Sequence, residues 1–348
     1  MDVDLTLPQL CGQLIVGGFE GVTLPGPFAE ALGDGERSGA ILFARNLPTL
    51  IDTHALCQSI LATAPPALPP FIGLDEEGGQ VTRLPPEAPR LPPMRRLGAL
   101  GNPGLVERAA RAVGTTLAAL GFNIDFAPVL DVDSNPGNPV IGDRSFAPHA
   151  ARVADLGEAF VRGLQSAGVM ACGKHFPGHG DTSQDSHLDL PAVTHDRSRL
   201  DRVELVPFRR AAAGGVAAMM SAHVVFTTLD PVAPATLSRP ICTELLRGEL
   251  GFAGVLFSDG MEMRALSDPL TIEHNAPRAV EAGCDALLVC HDLDLQQRAH
   301  AALLARAETD GDFRHRCIEA VERSLRARRR APPHRSERFD PGALAFFD

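Results

Sequence analysis

With 348 residues, 45% of them hydrophobic, the chain can bury a sizeable core as two small domains or one large α/β barrel. A formal net charge of −11 excludes nucleic acid and anionic membrane as partners held by bulk charge.

The opening "MDVDLTLPQL" begins with acid and has no long apolar run, so no signal peptide is expected. Apolar, β-rich runs then recur with helical patterns between them. Strands are predicted at "QLIVGGF" (13–19), "GAILFA" (39–44), "PFIGLDE" (70–76) and "NIDFAPVLDVD" (123–133). Four more follow at "VMACGKHF" (169–176), "VAAMMSAHVVF" (216–226), "GVLFSD" (254–259) and "DALLVC" (285–290). Their near-continuous apolar character suits strands buried on both faces. Amphipathic helices are predicted at 103–120, 151–167, 198–213, 240–250 and 271–282, and helical pattern runs through 292–330. Strand and helix alternating about eight times predict a single (β/α)8 TIM-type barrel over residues 1–330, with a doubly wound sheet as the competing arrangement. Residues 331–348 read as an irregular extension in which Phe346 and Phe347 dock on the barrel. The basic run Arg326 to Arg330 reads as a solvated helix end. No stretch approaches the roughly 18 apolar residues a membrane helix needs. Seven scattered cysteines without a CxxC pair favour reduced thiols and a cytoplasmic setting.

Polar residues interrupt the apolar runs at their C-terminal ends: Asp75-Glu76-Glu77, Asp131-Val132-Asp133, Lys174-His175, His223, Asp259 and His291-Asp292. In a barrel these ends surround one mouth, where active sites sit. Singly, an aspartate there is a helix N-cap and a histidine a satisfied core or surface group.

Residues 173–187, "GKHFPGHGDTSQDSH", gather a lysine, three histidines and two aspartates among glycines and a proline. Three chemistries use such a cluster. His175, His179, His187 and His223 with Asp181 and Asp185 are candidate metal ligands. However, Pro177-Gly178 breaks the helix that His175 and His179 would share, and "QLIVGGF" lacks the His-x-His common in metal-dependent barrels. A phosphate nest would suit the glycines and Lys174, but the spacing matches no P-loop. A mobile loop carrying an acid/base would use Asp185 to orient His187, with Gly178 and Gly180 as joints. On spacing alone, Asp185 and His187 capping a turn is favoured over all three.

The residues themselves say more. "KHFPGHGDTSQDSH" resembles the loop motif of the β-N-acetylglucosaminidase branch of glycoside hydrolase family 3: Lys-His-Phe-Pro-Gly-His-Gly, four variable residues, Asp-Ser-His. "LLRGELGFAGVLFSD" (245–259) resembles the family's nucleophile signature, and "GLDEEGGQVTRL" (73–84), "FAPVLDVDSNPGNPVIGDRSF" (126–146) and "AGCDALLVC" (282–290) also fit. The resemblance covers nearly the whole chain. One departure follows the nucleophile, where the branch reads Asp-Asp-Leu-Ser-Met and this chain reads Asp259-Gly260-Met261-Glu262-Met263.

The resemblance implies a retaining exo-β-N-acetylhexosaminidase with Asp259 as nucleophile, His187 as general acid/base and Asp185 as its partner. It implies that Asp75, Arg83, Arg144, Lys174 and His175 bind the sugar, with no metal and no cofactor. The implied substrate is a small GlcNAc-bearing muropeptide of peptidoglycan recycling. Without Trp or Tyr, sugar recognition has to rest on Phe faces and charged hydrogen bonds, which suits a pocket for one terminal sugar. Rival expectations are a family 3 enzyme with phosphate as acceptor, a glycosidase for another glycan, a metal-dependent barrel hydrolase, and a binding protein on an inactive barrel.

Overall fold

The computed structural model describes residues 4–183, 190–266, 272–340, 342 and 344. Eight parallel strands close into a barrel: β1 (Ile15–Gly17), β2 (Gly39–Ile41), β3 (Phe71–Leu74), β4 (Ile124–Asp125), β5 (Met170–Phe176), β6 (Ala218–Ser221), β7 (Val255–Gly260) and β8 (Ala286–Val289). Each pairs with its chain neighbours, and β8 returns to β1 with Val16 opposite Leu288. All eight predicted strand positions are occupied, and the barrel, not the doubly wound sheet, is what they form.

Alternation within these runs explains why they read as continuously apolar. Val16, Ile41, Phe71, Met170, Met220 and Leu288 point inward and form an interior cluster. Their neighbours Ile15, Ala40, Ile72, Ala171, Met219 and Leu287 face the surrounding helices in a second cluster. Both sides of each strand are therefore out of water. Phe257 fills the interior, edge-on to Phe71 at 5.1 Å and to Phe126 at 5.3 Å between ring centroids.

Three predicted segments are shorter or split. The ladder of 123–133 stops at Asp125, and because Pro128 has no N–H to offer, only an isolated bridge joins Val129 to Lys174. The run 216–226 leaves the barrel at Ser221, and Val225–Phe226 pairs instead with Ala192–Val193 outside it. The helix predicted at 198–213 is two helices, Arg197–Arg202 and Leu205–Ala213. Periodicity also left unmarked the helices Gly26–Gly33 and Leu50–Thr63 that follow β1 and β2.

The last helix, Gly311–Arg330, crosses the barrel floor. Arg326, Arg329 and Arg330 are exposed as a solvated helix end requires, but Arg328 corrects that reading, because it is fully buried. Its guanidinium donates to the carbonyls of Ser38 and Pro69 and to Gln13 Oε1 at 2.9–3.1 Å, and it lies over the Phe71 ring. Burial without a carboxylate lowers its pKa to about 9. Beyond it, His334 and Ser336 bond to Gln58 on the helix Leu50–Thr63, and the Phe339 ring meets His54. Phe346 and Phe347 lie outside the described residues. Among the described residues no helix is long and apolar enough to cross a membrane.

Candidate active site at the barrel mouth

The C-terminal ends of β3, β5 and β7 deliver the charged groups. After β3 the chain turns sharply through Gly78 and Gly79, whose φ angles of 93° and 60° lie in the left-handed region. A Cβ at Gly78 would come within 2.8 Å of Leu91 Cβ, so the turn also needs the missing side chain. Glu76 is buried and secures the loop by accepting the N–H groups of Arg83 and Leu84 and the Thr82 hydroxyl. Asp75 and Glu77 face the mouth.

Lys174, buried on β5, sits between them, with Nζ 2.7 Å from Asp75 Oδ1 and 2.6 Å from Glu77 Oε1. Arg144, from the short 3-10 turn Gly142–Arg144, grips the same Glu77 bidentately, with both contacts at 2.8 Å. Burial by itself raises the pKa of Glu77, but Lys174 and Arg144 outweigh it and hold the carboxyl well below the usual range. Burial likewise opposes the charge on Lys174, and Asp75 and Glu77 reverse that, raising its pKa above the ordinary lysine value. Both partners are therefore ionised at neutral pH. Arg83 approaches Asp75 Oδ2 at 3.7 Å.

The β5–β6 register shifts between Gly173 and Phe176, a bulge that turns the strand end into the mouth. There His175 Nδ1 lies 2.7 Å from Asp131 Oδ2, and Asp131 also accepts the backbone N–H groups of His175 and His179. Because this carboxylate can only accept, His175 donates through Nδ1 and leaves Nε2 for the cavity. His179 is buried against Thr182, and burial followed by His175 pushes its pKa down to about 4.

Asp259, on β7, is partly exposed and accepts the Gly260 N–H on Oδ1 at 2.8 Å. Burial raises its pKa, and the nearby His223 and His175 overcome that and lower it below the ordinary aspartate value. The carboxylate is therefore ionised, and among the described residues Oδ2 accepts no hydrogen bond.

Asp75, Arg83, Arg144, Lys174, His175 and Asp259 line one cavity of ≈ 430 Å³. The structure thus brings together every described residue singled out for sugar binding or nucleophilic attack. Asp185 and His187 lie outside the described residues. His223, expected at the mouth with the others, is instead fully buried behind it, with Nε2 2.9 Å from the Gly260 carbonyl and Nδ1 2.8 Å from Thr236. Its strand has already left the barrel, so the ring props the Asp259 turn from beneath. Asp292 takes the ordinary role and caps the helix Leu293–Thr309. Of the described members of the metal-ligand set, Asp181 contacts His195 and Ser134, and His179 and His223 bond to threonines. Among the described residues no group of three or more His, Cys, Asp or Glu side chains is arranged to hold a metal ion.

Three further lining residues, to which the sequence assigns no role, shape the site. Glu77 anchors two cations, and its only signal was adjacency to Asp75. Phe43, after β2, supplies an aromatic wall, with its ring 5.3 Å from that of His291. Glu262, the departure beyond Asp259, accepts three successive backbone N–H groups, of Cys290, His291 and Asp292, at 2.5, 3.1 and 3.0 Å. It thereby ties the turn after β7 to the end of β8 and sets where His291 meets Phe43. Glu262→Ala is expected to lower unfolding free energy by about 1–3 kcal/mol, because the three donors lose a charged acceptor. Urea denaturation measures it, and a change below ~0.5 kcal/mol would show that water replaces the carboxylate.

The family model of the glycosyl hydrolase family 3 N terminal domain matches residues 13–325. A beta-hexosaminidase of Nitrosomonas eutropha is 41% identical over 262 residues, 74% of this chain and 74% of its own. A glycoside hydrolase family 3 beta-N-acetylglucosaminidase from Paenibacillus sp. superposes with a TM-score of 0.91 at 42% identity, over 98% of this chain and 67% of that one. NagZ from Neisseria gonorrhoeae, solved with N-trifluoroacetyl-D-glucosamine, superposes with a TM-score of 0.74 at 32% identity, over 89% of this chain and 97% of its own.

Proposed function

The chain belongs to glycosyl hydrolase family 3, and we propose that it is a retaining exo-β-N-acetylglucosaminidase acting on small muropeptide fragments in peptidoglycan recycling. The observation that carries this reading is the ionised Asp259 opening into a cavity whose far wall is the fixed Asp75–Lys174–Glu77–Arg144 cluster. Asp75, Lys174, Arg144, Arg83 and His175 grip the hydroxyls of a single terminal sugar, which leaves C1 facing Asp259. Relatives named beta-hexosaminidase and a neighbour solved with an N-acylated glucosamine support the sugar class. The catalytic unit is residues 1–330, with 331–348 as an extension. A cytoplasmic setting accords with the free, buried state of all seven cysteines.

In the first step an oxygen of Asp259 attacks C1 and the glycosidic C–O bond breaks. His187, oriented by Asp185, gives its proton to the leaving oxygen. The product is a glycosyl–Asp259 ester and a neutral imidazole. In the second step that imidazole takes a proton from water, whose oxygen attacks C1, and the ester bond breaks to restore Asp259. Two inversions retain the β configuration.

His187→Ala separates the roles. A nitrophenolate leaves without a proton donor and a sugar alkoxide does not, so a nitrophenyl β-GlcNAc should give a burst and a trapped adduct while a disaccharide scarcely reacts. Azide, which needs no base, should restore turnover and yield the β-azide. Equal loss on both substrates with no adduct and no rescue would make His187 structural. The sugar is tested by aryl β-GlcNAc against aryl β-glucose, where equal rates overturn the N-acetyl assignment. Formation of GlcNAc-1-phosphate in added phosphate, in place of free GlcNAc, would overturn water as the acceptor.

A further inference from the structure

The end of the barrel opposite the mouth carries a second concentration of charge. Asp285, fully buried just ahead of β8, receives three guanidinium groups. Arg247 Nη2 lies 2.6 Å from Oδ2, and Arg316 Nη2 and Arg323 Nη1 lie 2.8 and 2.5 Å from Oδ1. Asp285 offsets one of the three and Glu319, 3.9 Å from Arg316, a second, so one positive charge stays on these part-buried groups, and the exposed Arg326 and Arg330 beside them add two more.

Two of these arginines have evident structural work. Arg247 also donates to the carbonyls of Phe252 and Gly254, and Arg316 to those of Val280, Gly283 and Cys284. Arg323 does not: its bond to Asp285 holds Nη1 and leaves Nε and Nη2 uncommitted among the described residues. Arg326 and Arg330 follow three and seven residues later on the same face of the helix Gly311–Arg330, exposed and without an ion pair among the described residues.

These three arginines line a cavity of ≈ 540 Å³ beneath the N-terminal ends of β5, β6 and β7, with Met170, Val216 and Phe252 as its apolar wall and no acidic residue in its lining. A neighbouring cavity of ≈ 600 Å³ shares Arg323 and Arg326 and adds Arg247 and Arg316. Of its two glutamates, Glu281 is paired with Arg306 at 2.9 Å, and Glu319 stands 3.9 Å from Arg316. Favourable interaction with the helix dipole accounts for cations in the last turn. It does not account for Arg323 two turns earlier, nor for the concavity, nor for this surplus in a chain of net charge −11.

Guanidinium forks take phosphate oxygens bidentately, and a fork already oriented by Asp285 loses little entropy on doing so. A singly charged anion would offset only part of the surplus, and the volume suits a small molecule. We propose that this cavity binds a small ligand bearing a di- or triphosphate, with Arg323, Arg326 and Arg330 as its contacts and the Met170–Phe252 wall against its apolar part.

Isothermal titration of the full chain with inorganic triphosphate tests this, beside the double variant Arg326→Ala/Arg330→Ala, whose exposed positions leave the fold intact. Saturable 1:1 binding is expected, weakened at least tenfold in the variant and unchanged when the mouth is filled with GlcNAc. The variant's rate on aryl β-GlcNAc should stay as it was. A nucleoside triphosphate binding more tightly than triphosphate alone would support the apolar wall's role, and equal binding would overturn that part. Absence of saturable heat, equal affinity in the variant, or reproduction of the response by sodium chloride at matched ionic strength would overturn the site. Displacement by GlcNAc would also overturn it, by moving the anion to Lys174 and Arg144. Because the sites lie at opposite barrel ends, failure here leaves the glycosidase reading untouched.

Discussion

Replacing Asp259 by Ala removes turnover of every β-glycoside, with a loss in kcat of about 10⁴-fold or more. The deleted oxygen is the one that becomes bonded to C1, so an activated leaving group does not spare the reaction as it does in His187→Ala. The fold should survive, because among the described residues the carboxylate's hydrogen bond is to the adjacent Gly260 N–H. Added azide occupies the vacated space below C1 and yields the α-azide, opposite in configuration to the His187→Ala product. Nuclear magnetic resonance of the two azides separates the roles in one experiment. Recovery of the β-azide from Asp259→Ala, or retention of a tenth of the activity, would remove Asp259 from its role as nucleophile. The same geometry sets the acid limit. Burial raises the Asp259 pKa, His223 and His175 more than reverse this, and the net shift is downward. Loss of activity through this group therefore falls below the ordinary aspartate value of about 3.9, so a limb near pH 6 belongs to another group.

Glu77→Ala is expected to have the largest effect on stability, about 3–5 kcal/mol at neutral pH. Lys174 and Arg144 are both held in place by this carboxylate, and its removal leaves buried positive charge opposed, among the described residues, by Asp75 and at longer range Asp131. The pH dependence has a definite sign. Glu77's folded pKa is depressed, so its contribution is fully present above the unfolded value of about 4.3 and is lost as pH falls through the folded one. The gap between wild type and variant in urea unfolding should stay constant from pH 7 to about 4.3 and shrink below it. A gap under ~1 kcal/mol, or one already closing between pH 7 and 5, would mean the cations find other partners. KM should rise as well, because both cations are proposed to hold the sugar.

The barrel was legible because its strands are buried on two faces. Inward Val16, Phe71 and Phe257 and outward Ile15, Ile72 and Leu256 make continuous apolar runs that no surface strand shows. The polar breaks at the C-terminal ends of six of the runs marked the mouth, since charge leaves the core only where the strand does. Local order therefore pointed to Asp75, Lys174 and Asp259 without knowledge of which strands are neighbours.

What each break residue does was not local. Asp259, His223 and Asp292 all follow apolar runs, yet one opens into the cavity, one is sealed behind it and one caps a helix. Glu76 and Glu77 are adjacent and identical, but one secures its own loop and the other holds Arg144 from 67 residues away. Arg328 sits in a run of surface arginines and is buried because the helix crosses the barrel floor at that turn. A side chain's direction at a strand end depends on twist, bulge and the next element's path, and these follow from closing the barrel. The sequence by itself determined eight two-faced strands and the end at which charge gathers; only the tertiary structure decided which charges meet, because pairing two buried ions requires both to be delivered within about 3 Å, and that distance is set by the whole barrel.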